Sequence, residues 1–165
     1  MNKKAVIGLI ILILLVIAGI LYVGSVYKID SEIPQINSNL NNGNTEYNNG
    51  VLLLNNRKYD EAQTKFNTTL EYYYNARQKT ETAQSIAQTK EDNVLEEYFT
   101  VTLAEIDSKI NAINEALEGI NVRNNSSSEA LSHYSNSNSL MNNSTQYSDR
   151  RKQLEQQYPD KFITG

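Results

Sequence analysis

The stretch FTVTLAEIDSKINAINEALEGI, residues 99–120, carries the clearest structural signal in this chain of 165 residues. Its large apolar residues recur in steps that alternate between four and three, the a/d pattern of helices that pack along a seam. The seam consists of Phe99, Leu103, Ile106, Ile110, Ile113, Leu117 and Ile120. Because such a stripe is typical of a helical core, we predict a long packed helix over residues 93–121.

Two weaker seams with the same spacing precede this helix and predict helices over residues 31–56 and 58–89. The first consists of Ile29, Ile33, Ile36, Leu40, Gly43, Tyr47, Gly50 and Leu54. The second consists of Tyr59, Ala62, Phe66, Thr69, Tyr73, Ala76, Thr80, Ala83 and Ala87. Gly43 and Gly50 weaken the first helix but leave room for a neighbouring helix to approach closely. Ser31 is the predicted cap of that helix, and residues 41–44 are an alternative loop.

Residues 124–148 are rich in Asn and Ser, and disorder is one interpretation of this composition. A marginal fourth helix over residues 128–158 is the interpretation that we favour, because apolar residues still recur at helical spacing. These residues are Leu131, Tyr134, Leu140, Tyr147, Leu154 and Tyr158. The helix ends before Pro159, and residues 159–165 form a tail that we expect to be frayed.

The predicted fold class is all-α, an elongated antiparallel bundle of three to four helices within residues 28–158. Segments of similar length joined by short polar breaks are typical of up-and-down bundles. An alternative fuses the second and third helices into one rod, since no glycine or proline lies between Val51 and Glu118.

The N-terminal segment AVIGLIILILLVIAGILYVGSVY, residues 5–27, contains no charge and follows Lys3 and Lys4. It is long enough to cross a bilayer as a helix and exceeds the usual apolar region of a cleaved signal, which is the alternative. The positive-inside tendency places residues 1–4 in the cytoplasm and the C-terminal portion outside. We therefore predict a single-pass anchor in the cell membrane that contacts lipid through residues 5–27.

Composition limits the partners of the outer portion. All 19 acidic residues but only 13 of the 15 basic residues lie in residues 28–165, a net charge of −6. Nucleic-acid binding requires a basic surface, so we do not expect a nucleic-acid partner. The chain has no cysteine, which excludes disulfides, thiol chemistry and a lipid-modified cysteine anchor.

Residues 47–70 contain the pattern Gly50, Tyr59, Ala62 and Phe66, with Leu70 following. This segment resembles one tetratricopeptide unit, in which a small residue on the first helix meets the second and an aromatic packs between them. Three features depart from the family pattern. The early aromatic is displaced to Tyr47, the closing proline is absent, and no second copy is visible. The resemblance implies a helical hairpin and contact with proteins, and it assigns no binding residue.

We find no constellation of catalytic, cofactor-binding or metal-ligating residues in the sequence. His133 is the only histidine, and we expect it to be exposed in the polar stretch. Glu105, Asp107, Glu115 and other acids are expected to lie on solvated helix faces. Five glycosylation sequons begin at Asn67, Asn124, Asn125, Asn142 and Asn143.

The leading functional hypothesis is a non-catalytic protein that mediates protein–protein interaction, self-association or scaffolding at the cell surface. This hypothesis is favoured by the single anchor, the long helical seams and the run of three tyrosines at residues 72–74, of which only one can enter the core. One alternative is a ligand-sensing exterior domain that works with a partner subunit. Another is a pilin-like filament subunit, although the glutamate usual near the start of mature bacterial-type pilins is missing.

Overall fold

The computed structural model describes residue 29 and residues 31–162. In that part of the chain the structure is all helical and contains no strand, so the predicted all-α class is confirmed. Helix α1 covers residues 31–55, and Ile29 is helical too. Helix α2 is Tyr59–Thr89, α3 is Asn93–Val122 and α4 is Ser127–Gln157, and a short 3₁₀ turn at Pro159–Lys161 follows. The predicted ranges of α2, α3 and α4 differ from these bounds by at most one residue at either end.

Two sharp turns separate the first three helices, and each uses a left-handed residue that is not glycine. Arg57 has φ 59° and Glu91 has φ 54°. After α1, Lys58 N–H donates to the Leu53 carbonyl at 2.9 Å, and after α2, Asp92 N–H donates to the Ala87 carbonyl at 3.0 Å. These bonds are typical of the Schellman motif that ends helices. Helices α2 and α3 are therefore separate, and the fused alternative is wrong.

Polar side chains begin the last two helices. The Asp92 carboxylate accepts a hydrogen bond from Leu95 N–H at 3.2 Å at the start of α3. The Ser126 hydroxyl accepts one from Glu129 N–H at 3.2 Å at the start of α4. Both bonds satisfy N–H groups that a helix leaves without an internal partner. The polar stretch is thus an ordered helix, and the alternative of disorder is wrong.

Hydrogen bonds between side chains give the order of the helices. Residue pairs between α2 and α3 run in opposite directions, as do those between α3 and α4. The pairs are Gln88 with Glu96, Gln84 with Thr100, Arg77 with Asp107, Glu97 with Arg150, Ser108 with Leu140, and Glu115 with His133. Bonds from α1 to Tyr73, Lys79 and Arg151 place α1 beside α2 and α4. The four helices form an antiparallel up-and-down bundle.

The core lies along the predicted seams of α1, α2 and α3. The predicted packing residues include five of the first hairpin, Gly43, Gly50, Tyr59, Ala62 and Phe66, and the seven seam residues of α3. Nine of these twelve are buried, and Tyr59, Leu103 and Leu117 are half-buried. Tyr73, the middle of three consecutive tyrosines, is fully buried, whereas Tyr74 is exposed. The buried face of α3 is wider than its apolar seam, because α3 contacts both α2 and α4.

The predicted seam of α4 is wrong at both ends, since Leu131 and Tyr158 are exposed. Leu131 is 68% exposed, and the residues buried every seventh position are instead Ala130, Ser137 and Ser144. The reason is steric, since large rings on the facing helices occupy the space beside α4. Tyr47 on α1, for example, shares a hydrogen bond with Ser137. Small side chains on α4 therefore complement large ones opposite.

Three glycines accept aromatic rings from a neighbouring helix. A Cβ atom at Gly43 would lie 2.4 Å from Tyr73, one at Gly50 2.6 Å from Phe66, and one at Gly119 2.4 Å from Tyr134. The prediction that Gly43 and Gly50 allow a close approach is confirmed by these distances. Contact between Gly50 and Phe66 holds the α1–α2 hairpin, whereas the tetratricopeptide resemblance itself stays a prediction.

Both termini of the bundle differ from expectation. Ile29 is already helical, so the prediction that Ser31 caps the start of α1 is wrong. Within α1, residues 41–44 are helical, so the alternative of a loop there is wrong as well. The expected fraying from residue 159 is wrong up to residue 162. Phe162 lies against Tyr98 with their ring centroids 4.7 Å apart, and Lys161 pairs with Asp92.

None of the helices within the described residues is both long enough and apolar enough to cross a membrane. The predicted anchor, residues 5–27, lies outside the part of the chain that the structure describes.

Candidate functional site

A buried polar network links all four helices near the middle of the bundle. The Glu105 carboxylate is 1% exposed and lies between two cations. Lys109 Nζ donates to its Oε1 at 2.7 Å, and Arg151 Nε lies 3.2 Å from its Oε2. The prediction that Glu105 belongs to a solvated face is therefore wrong. Its partner Arg151 comes from a helix far along the chain, so the local sequence gives no sign of this pairing.

Amide and phenol groups complete the network. Asn44 Oδ1 on α1 accepts hydrogen bonds from Lys109 Nζ at 2.9 Å and from the Tyr73 hydroxyl at 2.8 Å. Asn37 Oδ1 accepts a hydrogen bond from Arg151. The Tyr98 hydroxyl donates to Glu155 at 2.9 Å. These bonds satisfy amide and phenol groups that would otherwise be buried without a partner, whereas Glu105 Oε2 and Arg151 Nε meet only as an ion pair.

The environment raises the pKa values of the groups in this network that are normally neutral. Burial is the main cause for Tyr73, and the charge of Glu105 adds to it. Burial also raises the pKa of Tyr98. For Arg151 burial acts against the charge, but Glu105 outweighs it and the pKa is raised. Both tyrosines therefore stay neutral and Arg151 stays charged, and the ion pairs and hydrogen bonds of the network join all four helices.

A second polar region lies at the opposite end of the bundle from residue 29. We call this end, where the α1–α2 and α3–α4 turns meet, the distal end, and the other the proximal end. Two adjoining cavities of about 360 and 380 Å³ open there. Together we call them the distal cleft, whose main lining residues are Tyr47, Arg57, Tyr59, Arg123, Leu131 and Tyr134.

Tyr134 forms one wall of the distal cleft, and its ring lies against Gly119. Its hydroxyl oxygen is buried and has no hydrogen-bond partner. Burial raises the pKa of this hydroxyl, and neighbouring Tyr59 adds to the effect while Arg123 opposes it. A buried hydroxyl without a partner is uncommon in a folded protein and marks this wall as unusual.

Two arginines line the mouth of the distal cleft. The Arg123 guanidinium lies 4.3 Å from the centroid of the Tyr59 ring, a cation–π contact, and it donates to the Ile120 carbonyl. Arg57 is exposed in its left-handed turn. Neither residue was singled out from the sequence, because Arg57 lies in a polar turn and Arg123 at a helix end. The sequence gives no sign that both arginines lie beside Tyr59, because only the fold brings them there.

His133 is half-buried rather than exposed as expected. Its Nδ1 lies 2.8 Å from Glu115 Oε2, and Asn136 donates to the same oxygen at 3.3 Å. Hydrogen bonding with His133 lowers the pKa of Glu115, and the bond from Asn136 adds to the effect. This pair links α3 to α4 and lies on the same half of the bundle as the distal cleft.

The five sequons occupy two kinds of position. Asn124 and Asn125 lie in the turn between α3 and α4, and both are exposed. Asn67, Asn142 and Asn143 lie within helices, where Thr69 and Ser144 of the sequons are buried. The turn is therefore the most accessible of these sites for a glycan.

The described residues contain no group of three or more His, Asp or Glu side chains placed to hold a metal ion. Comparisons with protein-family models, with curated proteins and with solved structures found no match to this chain. The distal cleft is the candidate functional site, since it combines concave shape, aromatic and apolar walls and polar groups without partners.

Proposed function

We propose that this chain is a non-catalytic, single-pass membrane protein whose helical bundle projects from the outer face and binds another protein at its distal end. The apolar segment at residues 5–27 supports the anchor, and Lys3 and Lys4 support the orientation. Residues 31–55 of α1 rise about 37 Å at 1.5 Å per residue. The distal cleft would therefore stand well away from the lipid, where a partner can reach it.

The observation that carries the proposal is the composition of the distal cleft. Tyrosine and arginine are, with tryptophan, the residues enriched among those that dominate binding energy at protein interfaces. Tyr59, Tyr134, Arg57 and Arg123 all line this one concave surface. Leu131 on its rim keeps 68% of its surface exposed, which is apolar area available for burial against a partner.

Site-specific photocrosslinking in cells that produce the chain natively tests the proposal. A benzophenone amino acid replaces Leu131 at the distal end or, in a matched control, Tyr158 at the proximal end, which is also exposed. We expect a discrete adduct with one other protein from the Leu131 position and none from the Tyr158 position. Equal adducts from both positions, or none from either, would contradict the proposal.

A ligand-sensing role is the second candidate, and the volume of the distal cleft favours it. Cavities of 360 and 380 Å³ fall at the small end of the range that small-molecule sites occupy. Thermal unfolding of the full-length chain in detergent micelles with a panel of small carboxylates separates the two roles. A raised midpoint with one compound favours sensing, whereas an unchanged midpoint together with the Leu131 adduct favours protein binding.

A further inference from the structure

The arginines of this chain fall into two groups. Three of the five have a carboxylate within ion-pair distance: Arg77 lies 2.8 Å from Asp107 and 2.6 Å from Glu81, Arg151 lies 3.2 Å from Glu105, and Arg150 pairs with Glu97. Arg57 and Arg123 pair with no carboxylate among the described residues. Both line the same cavity of about 380 Å³. In a chain with more acids than bases, two unpaired arginines in one cleft are a specific arrangement.

The fold fixes where these two arginines stand. Arg123 rests on the Tyr59 ring and uses one N–H group on the Ile120 carbonyl, which leaves most of its five N–H donors available. Arg57 is held by the turn that ends α1, in which its own N–H donates to the Leu54 carbonyl at 3.0 Å. These contacts hold the Arg123 guanidinium and the Arg57 backbone in place. Guanidinium groups bind carboxylates through paired hydrogen bonds more strongly than neutral donors do.

Two acids stand near the mouth of the cleft and must be counted. Glu61 pairs with Lys58 at 3.1 Å, so its charge is already matched. Asp60 lies beside them on the same rim. Three cations therefore face two acids there, and the remaining charge is positive.

The walls select what accompanies the bound anion. Tyr59, Tyr134 and the exposed side chain of Leu131 offer aromatic and apolar area next to the guanidinium groups. A free inorganic anion would leave this area in contact with water. A peptide that places an apolar side chain next to a carboxylate would cover it and match the charge as well.

We propose that the distal cleft binds an acidic segment of the partner protein, with Arg57 and Arg123 holding a carboxylate and Leu131 and Tyr134 contacting the apolar side chain beside it. This inference rests on the proposed function, since it names the chemistry of the partner. Its carboxylate comes either from an Asp or Glu side chain or from the C-terminus of the segment.

Fluorescence anisotropy with the full-length chain in detergent micelles tests this chemistry. The probe is a short labelled peptide of alternating Glu and Phe, and the control peptide carries Gln at each Glu. We expect the Glu peptide to bind about tenfold more tightly or better, since a bond to a charged group contributes about 1.5–3 kcal/mol. Added salt should weaken it, because exposed charges are screened. A Gln-Phe peptide with a free rather than amidated C-terminus distinguishes the two sources of carboxylate.

Matched variants assign the effect to these two arginines. Arg57→Gln and Arg123→Gln should each weaken the Glu peptide about tenfold and leave the Gln peptide unchanged. Arg150→Gln serves as the control, because Arg150 is also partly exposed but pairs with Glu97. Unchanged thermal unfolding of each variant shows that the fold is intact. The inference would be overturned if neither the Glu side chains nor a free C-terminus strengthened binding over the amidated Gln peptide, or if Arg150→Gln lost as much affinity as the two cleft variants.

The crosslinking experiment distinguishes this inference from the function on which it rests. If the Leu131 adduct persists in a chain with both Arg57→Gln and Arg123→Gln, the chain binds a partner but not through carboxylate capture. If the wild-type chain gives no adduct, the proposed function itself is wrong. If the adduct maps to a second copy of this chain, the acidic segment of another protein is excluded and self-association replaces it.

Discussion

The proximal and distal ends of the bundle differ in how their charged and polar groups are partnered. At the proximal end Asp92 ends α2, caps α3 and pairs with Lys161, while Phe162 covers the Tyr98 ring. At the distal end two arginines have no carboxylate partner among the described residues, and a tyrosine hydroxyl is buried without a hydrogen bond. At the first end Asp92 and Lys161 are paired and a ring covers the core, whereas at the second end a cleft is open and its two arginines are unpaired within the described chain.

This difference makes the distal cleft the place in the described bundle where arginines lack carboxylate partners. The other three arginines, Arg77, Arg150 and Arg151, each lie beside a carboxylate. The two arginines of the distal cleft differ from them in this respect. Folded proteins depart from locally consistent choices mainly at functional sites. The distal cleft is such a departure, and the predictions below test whether the two ends differ in stability and in function as the structure implies.

The largest effect is expected at the buried network on the proximal side of the cleft. Glu105→Ala leaves Lys109 and Arg151 buried without their shared carboxylate, which we expect to lower the free energy of unfolding by about 3–5 kcal/mol. Urea unfolding of the full-length chain in detergent micelles measures it. The control is Glu97→Gln, which breaks an exposed pair with Arg150 and should change stability by less than about 1 kcal/mol. Equal losses in the two variants would show that the network does not hold the bundle together.

The sequence predicts most of the fold because α1, α2 and α3 carry apolar seams with unambiguous helical spacing. It fails on α4, where Ala130, Ser137 and Ser144 are buried instead of Leu131. Hydrophobicity does not predict this, since the need for small residues there is set by rings on other helices. Glu105 escapes prediction for the same reason, because its partner Arg151 is brought close only by the folded bundle.

The candidate site was less accessible to sequence reasoning than the fold. Arg57 lies in a predicted turn, and its left-handed conformation has no glycine to signal it. Arg123 follows the clearest seam of the chain, yet its contact with Tyr59 joins the end of α3 to the start of α2, two points far apart in the sequence. A cleft is formed by the ends of several elements at once, so periodicity along one element cannot reveal it.

Substitution of glycines separates a closed part of the bundle from the open one. Gly43→Ala would place a Cβ against Tyr73, whose ring is fully buried and tied to Asn44. Overpacking costs about 1–3 kcal/mol and helix propensity offsets about 1 kcal/mol of it, so we expect a net loss of up to about 2 kcal/mol. Gly119→Ala meets Tyr134, which borders the distal cleft and has room to move. Its clash is offset by the roughly 1 kcal/mol gained in helix propensity, so stability should change little. Urea unfolding of both variants decides this, and equal losses would mean that the distal cleft is rigid.

The two left-handed turn residues give a matched pair of smaller effects. Arg57→Gly and Glu91→Gly each relieve a left-handed conformation that disfavours side chains, and each should stabilise the chain by about 1 kcal/mol. Only Arg57→Gly removes a side chain that lines the distal cleft. We therefore expect Arg57→Gly to weaken the Glu-Phe peptide and Glu91→Gly to leave its affinity unchanged. Anisotropy measured beside urea unfolding shows both effects, and a loss of affinity in both variants would contradict the assignment.

The smallest expected effect is on thermal stability at low pH. It compares the contribution of Asp92 at the proximal end with that of Glu115 in the distal half. Burial tends to raise the pKa of Asp92, but the bonds from Lys161 and the Leu95 N–H outweigh it and the pKa is lowered. Hydrogen bonding with His133 lowers the pKa of Glu115. A lowered pKa in the folded state means that the carboxylate stabilises the fold above its unfolded pKa, about 4, and that this is lost as pH falls through the folded value. Thermal midpoints should thus decline below about pH 4.

Asp92→Asn should reduce this decline more than Glu115→Gln, because Asp92 is the less exposed carboxylate and also caps α3. An equal reduction in both variants would mean that the closed end derives no more stability from its charges than the open half does.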